Sequence, residues 1–157
     1  MERRDFLSRT SGAGVVALAA ATGLPAAQAQ TVNAAGWNKA AFDSKSLADA
    51  AKAMGATSAP TESKDLSLIA PEIAENGNVV RIEAKSAIPG TTQIAFVVEK
   101  NPSALAASFD IPAGTDASVK TNVKMGQSSN VYALAKAGDK FYYAVKEVKV
   151  TLGGCGG

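Results

Sequence analysis

The chain has 157 residues and a formal net charge of +2, with one cysteine and no histidine. A charge close to zero without a basic run argues against nucleic acid and anionic membranes as partners. The absence of histidine excludes Ser-His-Asp and Cys-His catalysis and removes the commonest ligand of zinc, copper and haem iron. We therefore expect a protein that has no cofactor and no catalytic centre of its own.

The N-terminus has the pattern of a twin-arginine export signal. The residues of this pattern are Arg3, Arg4, Phe6 and Leu7. A small-residue apolar stretch over 12–24 follows, and then an A-x-A cleavage site, Ala27-Gln28-Ala29. Because about 13 apolar residues are fewer than the roughly 20 that span a bilayer as a helix, the pattern favours a cleaved signal over a membrane anchor.

These boundaries predict three parts: a signal peptide over 1–29, one domain over 30–152, and a C-terminal arm over 153–157. The mature protein is expected in the periplasm. Twin-arginine export moves proteins that are already folded, commonly because they hold a cofactor or a partner. Since cofactor ligands are missing here, we expect a second subunit that folds with this chain and crosses the membrane with it.

The first predicted element of the mature domain is one helix over 38–54. Its alanines and Leu47 favour helix, Asp43 or Ser44 could cap an inner start, and Gly55 marks its end. Trp37 leads into this helix and is interpreted as a packing residue.

After the helix the apolar residues alternate with a period of two, which is typical of half-buried strands. Strands are predicted over 66–70, 78–87, 91–99, 105–111, 117–125, 131–136 and from about 140 to 152. Turn signals such as Asn76-Gly77 and Pro89-Gly90 separate them. This pattern predicts a mainly β fold: an immunoglobulin-like antiparallel sandwich of about seven strands with an N-terminal helix.

The last predicted strand changes its apolar face part of the way along. Phe141, Tyr143 and Val145 share one parity, whereas Val148 and Val150 share the other. Because a shift of one residue moves every side chain to the opposite face, we expect a β-bulge at Lys146-Glu147 that restores a single buried face.

The sequence ends Gly-Gly-Cys-Gly-Gly, with Cys155 flanked by Gly153, Gly154, Gly156 and Gly157. Glycine lacks a Cβ and adopts positive φ freely, so this segment is predicted to be a flexible arm that leaves the sandwich after Leu152. A thiol on a thin arm has no pocket of its own, and its chemistry must be supplied by a protein that receives it. Cys155 is therefore the candidate reactive residue, and no metal ligands are predicted.

Several segments resemble the SoxY family of sulfur carriers from periplasmic thiosulfate oxidation. They are KSLADA (45–50), APEIAENG (70–77), VEKNP (98–102), VKMGQ (123–127) and KEVKVTL (146–152), the last running into the glycine arm. The resemblance implies that Cys155 is the covalent attachment site for the sulfur substrate and that the four glycines form the swinging arm.

The resemblance also implies partners. A SoxZ-like subunit would form a heterodimer with this chain. A SoxXA-like haem enzyme would load thiosulfate onto Cys155, a SoxB-like dimanganese hydrolase would release sulfate, and a SoxCD-like molybdenum dehydrogenase would oxidise the remaining sulfur. A different class of function stays open beside this one: an immunoglobulin-like binding or structural module whose terminal cysteine forms an intermolecular disulfide.

Overall fold

A computed structural model of the chain describes residues 38–151. The signal peptide, Trp37, Leu152 and the glycine arm lie outside the described residues, so the predictions made for them, including the domain boundaries, stay predictions. The described helices are α1 (Lys39–Phe42) and α2 (Leu47–Ala53). The described strands are β1 (Thr61–Glu62), β2 (Leu66–Ile69), β3 (Ile73–Ala74), β4 (Val80–Ser86), β5 (Thr91–Val98), β6 (Leu105–Asp110), β7 (Ser118–Val123), β8 (Ser129–Ala137) and β9 (Lys140–Val150).

The strands form two sheets that face each other across a hydrophobic core. The larger sheet has the order β1-β9-β8-β5-β6, with β3 also paired to β9, and the smaller sheet has the order β2-β4-β7. The strands of four or more residues correspond to the seven strands predicted, and they pair antiparallel. The two additional strands, β1 and β3, have two residues each and run parallel to β9. The prediction of a mainly β sandwich is confirmed.

The core between the sheets follows the predicted alternation. On β4, Val80, Ile82 and Ala84 are buried, whereas Arg81 is exposed. On β5, Ile94, Phe96 and Val98 face the same core. The same period of two on strands of both sheets places their apolar side chains in one layer between the sheets.

A second hydrophobic cluster lies on the other face of the larger sheet. Ala95 and Val97 of β5 are fully buried there, together with Leu134 of β8 and Phe141 of β9. Ala50 and Ala51 of α2 belong to this cluster, so the helices cover this part of the sheet. The domain is therefore built of three layers: helices, larger sheet and smaller sheet.

The prediction of a single helix over 38–54 is wrong, because two short helices occupy this segment. Asp43 has a helical backbone at the end of α1, and Ser46 is extended (φ −144°, ψ 166°). The Ser46 side chain accepts a hydrogen bond from the Asp49 N–H at 3.1 Å, which makes Ser46, and not Asp43 or Ser44, the N-cap of α2. The predicted end is right: Gly55 follows α2 with φ +98°, a value that glycine adopts without strain.

The β-bulge predicted at Lys146-Glu147 is wrong. The register of β8 and β9 runs without a shift from the pair Ser129 and Val148 to the pair Ala137 and Lys140. The apolar face changes because different layers cover the two faces of β9. Phe141 packs on the helix side and Val148 packs between the sheets, so both parities are correct for an unbroken strand.

Candidate functional site

The candidate site is the end of the sandwich from which the C-terminal arm departs, here called the exit end. Cys155 and the four arm glycines lie outside the described residues. The structure describes the chain up to Thr151, the first residue after β9. Since Cys155 is the fourth residue after Thr151, it lies within about 14 Å of Thr151 even with the chain fully extended.

Parallel pairing with β3 holds the last residues of β9. Ile73 lies opposite Lys149, and Ala74 lies opposite Val150. The Lys149 N–H donates to the Glu72 carbonyl at 2.9 Å, and the Thr151 N–H donates to the Ala74 carbonyl at 3.1 Å. The backbone is therefore hydrogen-bonded up to the last described residue, which gives the arm a fixed starting point.

A second set of contacts holds the same residues from the other side. The Val150 N–H donates to the Ser128 hydroxyl at 2.9 Å, and the Met125 N–H donates to the Gly77 carbonyl at 2.7 Å. A Cβ on Gly77 would lie 2.4 Å from the Met125 carbonyl oxygen and 2.9 Å from Val150 Cγ1. Glycine is thus required at position 77 by the close approach of two segments at the exit end.

Two further loops close this end of the sandwich. The Asn101 side-chain amide donates to the Lys124 carbonyl at 2.7 Å, and the Lys100 N–H donates to the Ser129 hydroxyl at 3.0 Å. Lys45 of the segment between the helices donates to the Pro102 carbonyl. The loop after β5 is therefore tied both to the loop between β7 and β8 and to the helical layer.

These contacts join all five segments on which the resemblance was based. Segment 45–50 contacts 98–102, which contacts 123–127; segment 123–127 contacts 70–77, which pairs with 146–152. From the sequence, Asn76-Gly77 and Asn101-Pro102 were interpreted only as turns. The sequence did not predict that these two turns lie close to the root of the arm. Asn, Gly and Pro residues indicate where a chain turns, but they do not indicate which segments the turn contacts.

The part of the chain that the structure describes has no cluster of metal-ligating side chains. Between residues 38 and 151, no group of three or more Cys, Asp or Glu side chains is placed to hold a metal ion. Neither of the helices described in that range could span a lipid bilayer.

Two described groups have a shifted pKa. Hydrogen bonds from Lys120 and Lys85, at 2.9 and 3.1 Å, lower the pKa of the Glu83 carboxyl on the outer face of the smaller sheet. Burial, and then the nearby Glu99 carboxylate, raises the pKa of the Tyr132 phenol. Both shifts have an ordinary structural cause.

The comparisons with known proteins agree on one family. The model of the family described as "Sulfur oxidation protein SoxY" matches residues 50–155. The solved structure of the sulfur carrier protein SoxY from Chlorobium limicola f thiosulfatophilum is similar to this chain, with 39% identity and a TM-score of 0.59. The alignment covers 66% of this chain and 96% of that one.

The remaining comparisons carry no argument about function. A lytic polysaccharide monooxygenase from Jonesia denitrificans aligns over 47% of this chain and 54% of its own, with 17% identity and a TM-score of 0.36. The search of curated proteins found no match.

Proposed function

The chain belongs to the SoxY family and takes part in sulfur oxidation as a carrier protein; from that premise we propose that it carries thiosulfate-derived sulfur on the thiol of Cys155. The observation that carries the proposal is the position of the only cysteine of the sequence. Cys155 follows a firmly held strand end by four residues and stands between two pairs of glycine. The range matched by the family model also ends at residue 155.

The proposed loading step forms a disulfide-type bond between Cys155 and thiosulfate. The Cys155 thiolate and the outer sulfur of thiosulfate each give up one electron, which yields a cysteine S-thiosulfonate and leaves two electrons for a haem enzyme of the SoxXA type. Free cysteine has a pKa of about 8.5, so a few per cent is thiolate at neutral pH, and the receiving enzyme supplies further activation.

The proposed release step is a hydrolysis. Water attacks the sulfonate sulfur in a SoxB-like enzyme, the bond between the two sulfurs of the thiosulfate unit breaks, and sulfate and two protons leave. A persulfide remains on Cys155 and is the substrate of a SoxCD-like dehydrogenase where the host has one. All catalysis in this scheme belongs to the partner enzymes, and this chain holds the substrate.

Covalent attachment solves a recognition problem. A small sulfur oxyanion has few atoms, and binding energy is limited to about 1.5 kcal/mol per heavy atom for the best small ligands. Attached to a domain, the same fragment is recognised through the protein surface, and the binding energy of that surface serves the chemistry at the tip of the arm. Gly153, Gly154, Gly156 and Gly157 keep the arm narrow enough to enter an enzyme channel.

We further propose that residues 1–29 direct the chain to the periplasm through the twin-arginine pathway and that a SoxZ-like subunit is exported with it. The signal pattern of Arg3, Arg4, Phe6 and Leu7 supports the first statement. The co-export of a second subunit is supported by the fact that the twin-arginine pathway moves folded proteins, commonly ones that hold a cofactor or a partner. Since this sequence lacks the usual ligands of a cofactor, a partner is the more plausible reason for using that pathway.

The test is the mass of the Cys155 peptide and the activity of Cys155→Ser. We expect the peptide from thiosulfate-fed cells, isolated without reductant, to carry added sulfur or sulfonate. Cys155→Ser should keep the melting temperature of the wild type, because the substitution lies beyond the hydrogen-bonded end of β9, and should abolish thiosulfate-dependent electron flow. Finding only disulfide-linked chains would favour the cross-linking module instead, and normal electron flow in Cys155→Ser would overturn the carrier proposal.

A further inference from the structure

The turn between β3 and β4 contains the only Asn-Gly pair of the sequence, Asn76-Gly77. Asn76 is exposed to solvent, whereas Gly77 is buried at the exit end. An asparagine that precedes glycine can react with its own backbone, because the nitrogen of the next residue can reach the carboxamide carbon and glycine has no side chain to obstruct the approach. This reaction needs water and no oxidant.

Two hydrogen bonds of the turn orient the reacting groups. The Asn78 N–H donates to Asn76 Oδ1 at 2.9 Å, which folds the carboxamide toward the backbone of the turn. Negative charge develops on this same oxygen when a nucleophile adds to the carboxamide carbon, and a backbone N–H already placed on it stabilises that charge. The Val79 N–H donates to the Asn76 carbonyl at 3.2 Å and closes the turn.

We infer that Asn76 is a site of spontaneous cyclisation and hydrolysis. The Gly77 nitrogen loses its proton to solvent and bonds to Asn76 Cγ, the bond from Cγ to Nδ2 breaks, and ammonia leaves, so that a five-membered succinimide joins the two residues. Water opens the ring at Cγ to give aspartate, or at the Asn76 carbonyl carbon to give isoaspartate, whose backbone runs through the former side chain. One water is consumed and one ammonia is released, without a change in oxidation state.

Asn78 is an internal control for this reaction. It is exposed in the same turn, but Val79 follows it. The branched Cβ of valine crowds the nitrogen that would have to attack the Asn78 carboxamide. Both asparagines lie in one tryptic peptide, residues 65–81, between Lys64 and the cleavage site after Arg81, so their reactions can be compared in the same sample.

Isoaspartate at position 76 acts on the exit end through Gly77. It adds one backbone atom before Gly77 and converts the Asn76 carbonyl that closes the turn into part of a carboxylate. Gly77 has little room to move, because its carbonyl accepts from the Met125 N–H at 2.7 Å and an added Cβ would lie 2.4 Å from the Met125 carbonyl oxygen and 2.9 Å from Val150 Cγ1. Isoaspartate therefore loosens the contact between this turn and the end of β9.

The reaction itself is independent of the proposed function, and only its consequence for the carrier rests on that function. If Cys155 carries sulfur, a molecule with isoaspartate at position 76 presents the sulfur from a less firmly held strand end. The modification would then change the presentation of the cargo slowly, as the protein ages.

The first test incubates the folded protein, purified from its host, at neutral and mildly alkaline pH and follows the peptide 65–81 by mass spectrometry. Fragment ions show whether the amide of Asn76 or of Asn78 has become an acid. We expect conversion of Asn76 to be at least about tenfold faster than that of Asn78, a difference of about 1.4 kcal/mol in activation free energy. It should be faster at the higher pH, because the attacking nitrogen must lose a proton.

A sample digested without incubation measures the conversion that digestion itself causes, and a sample incubated in urea measures the reaction of the unfolded chain. Equal rates at Asn76 and Asn78, or conversion in the unfolded chain alone, would overturn the assignment. The mass of the Cys155 peptide tests the carrier separately, so the failure of one proposal is distinguishable from the failure of the other.

The second test separates the new charge from the extra backbone atom. Asn76→Asp has the charge on an ordinary backbone, and its carboxylate can still accept from the Asn78 N–H, so the fresh variant should melt at the temperature of fresh wild type. Asn76→Ser keeps a side-chain oxygen for the turn but has no carboxamide, so its melting temperature should stay constant during incubation.

The wild type should instead lose thermal stability in proportion to its isoaspartate content. Hydrogen exchange at the Met125 and Thr151 amides, which donate to the Gly77 and Ala74 carbonyls, should become faster at the same time. An unchanged melting temperature and unchanged exchange in a sample rich in isoaspartate would overturn the proposed effect on the exit end.

Discussion

Gly77 shows how one residue supports the site without taking part in its chemistry. Its φ is not in the left-handed region, so the backbone conformation itself does not require glycine. What requires it is space, because the Met125 carbonyl oxygen and Val150 Cγ1 would lie 2.4 and 2.9 Å from an added Cβ. The Met125 carbonyl oxygen belongs to the backbone, so it cannot move aside as a flexible side chain could. A shift of the Met125 backbone would also disturb the hydrogen bond from the Met125 N–H to the Gly77 carbonyl.

We therefore predict that Gly77→Ala destabilises the domain by about 1–3 kcal/mol, the usual cost of overpacking. The measurement is the free energy of unfolding in urea. Gly126→Ala is the matched control, since an added Cβ at Gly126 meets nothing within 4 Å. Equal stabilities of the two variants would contradict the close approach at position 77.

Glu83 is a residue whose charge has a defined structural role. Hydrogen bonds from Lys120 and Lys85 lower the pKa of its carboxyl from the ordinary value of 4.5. A carboxyl whose pKa is lower in the folded than in the unfolded state contributes stability above the unfolded pKa and loses it as the pH falls through the folded pKa. The contribution is present at pH 7 and disappears in acid.

We expect Glu83→Gln to lower the melting temperature slightly at pH 7 and by less near pH 3 (roughly a unit below the ordinary carboxyl pKa), because the wild-type carboxylate gains a proton as the pH falls. Glu75→Gln, at an exposed loop position, is the control. A deficit of Glu83→Gln that stays the same at both pH values would show that the charge is not its origin.

At the scale of elements, the segment before the sandwich shows how a local competition breaks a helix. Alanine-rich composition over 38–54 favours one helix, but Asp43, Ser44 and Ser46 compete with helical hydrogen bonding through their side chains. In the structure Ser46 takes an extended backbone and caps α2. The Phe42 carbonyl accepts a hydrogen bond from the Ser103 hydroxyl, and the Ser44 carbonyl accepts one from the Ala104 N–H. Contacts with the loop after β5 thus decide that the helix is divided.

Ser46→Ala should destabilise the domain by about 1 kcal/mol, the typical cost of losing a serine N-cap. The Asp49 N–H loses its side-chain acceptor in this variant. Thermal or urea unfolding measures the effect, and Ser58→Ala, at an exposed loop position, serves as the control. A stability equal to that of wild type would mean that the cap does not hold α2 in place.

β9 is the element that connects the fold to the proposed function. It pairs with β8 along its length and with β1 and β3 on its other edge, so it is central to the larger sheet where the arm begins. One of its faces is buried between the sheets, and the other is covered by the helices near Phe141 and open at Val145. A single strand thus contributes to the core between the sheets, to the helix-side cluster and to the root of the arm.

At the scale of the whole molecule, the end of β9 and the loops around it form the end of the sandwich from which the arm departs. The loops of the exit end are joined by hydrogen bonds between residues that are more than 20 positions apart in sequence. Such a scaffold holds the start of the arm still, and under the proposed function the sulfur on Cys155 can then be presented to successive enzymes from a constant origin.

The alternation of apolar residues determined the seven longer strands and the mainly β class, because period-two burial is a property of each strand by itself. The position of Cys155 between paired glycines likewise identified the candidate reactive residue without any tertiary information. The two covered faces of β9, the division of the N-terminal helix and the contact of Gly77 with Met125 were decided only by the tertiary structure. The physical reason is that these features depend on which distant segments pack together, and a local pattern carries no information about the layer that will lie against it.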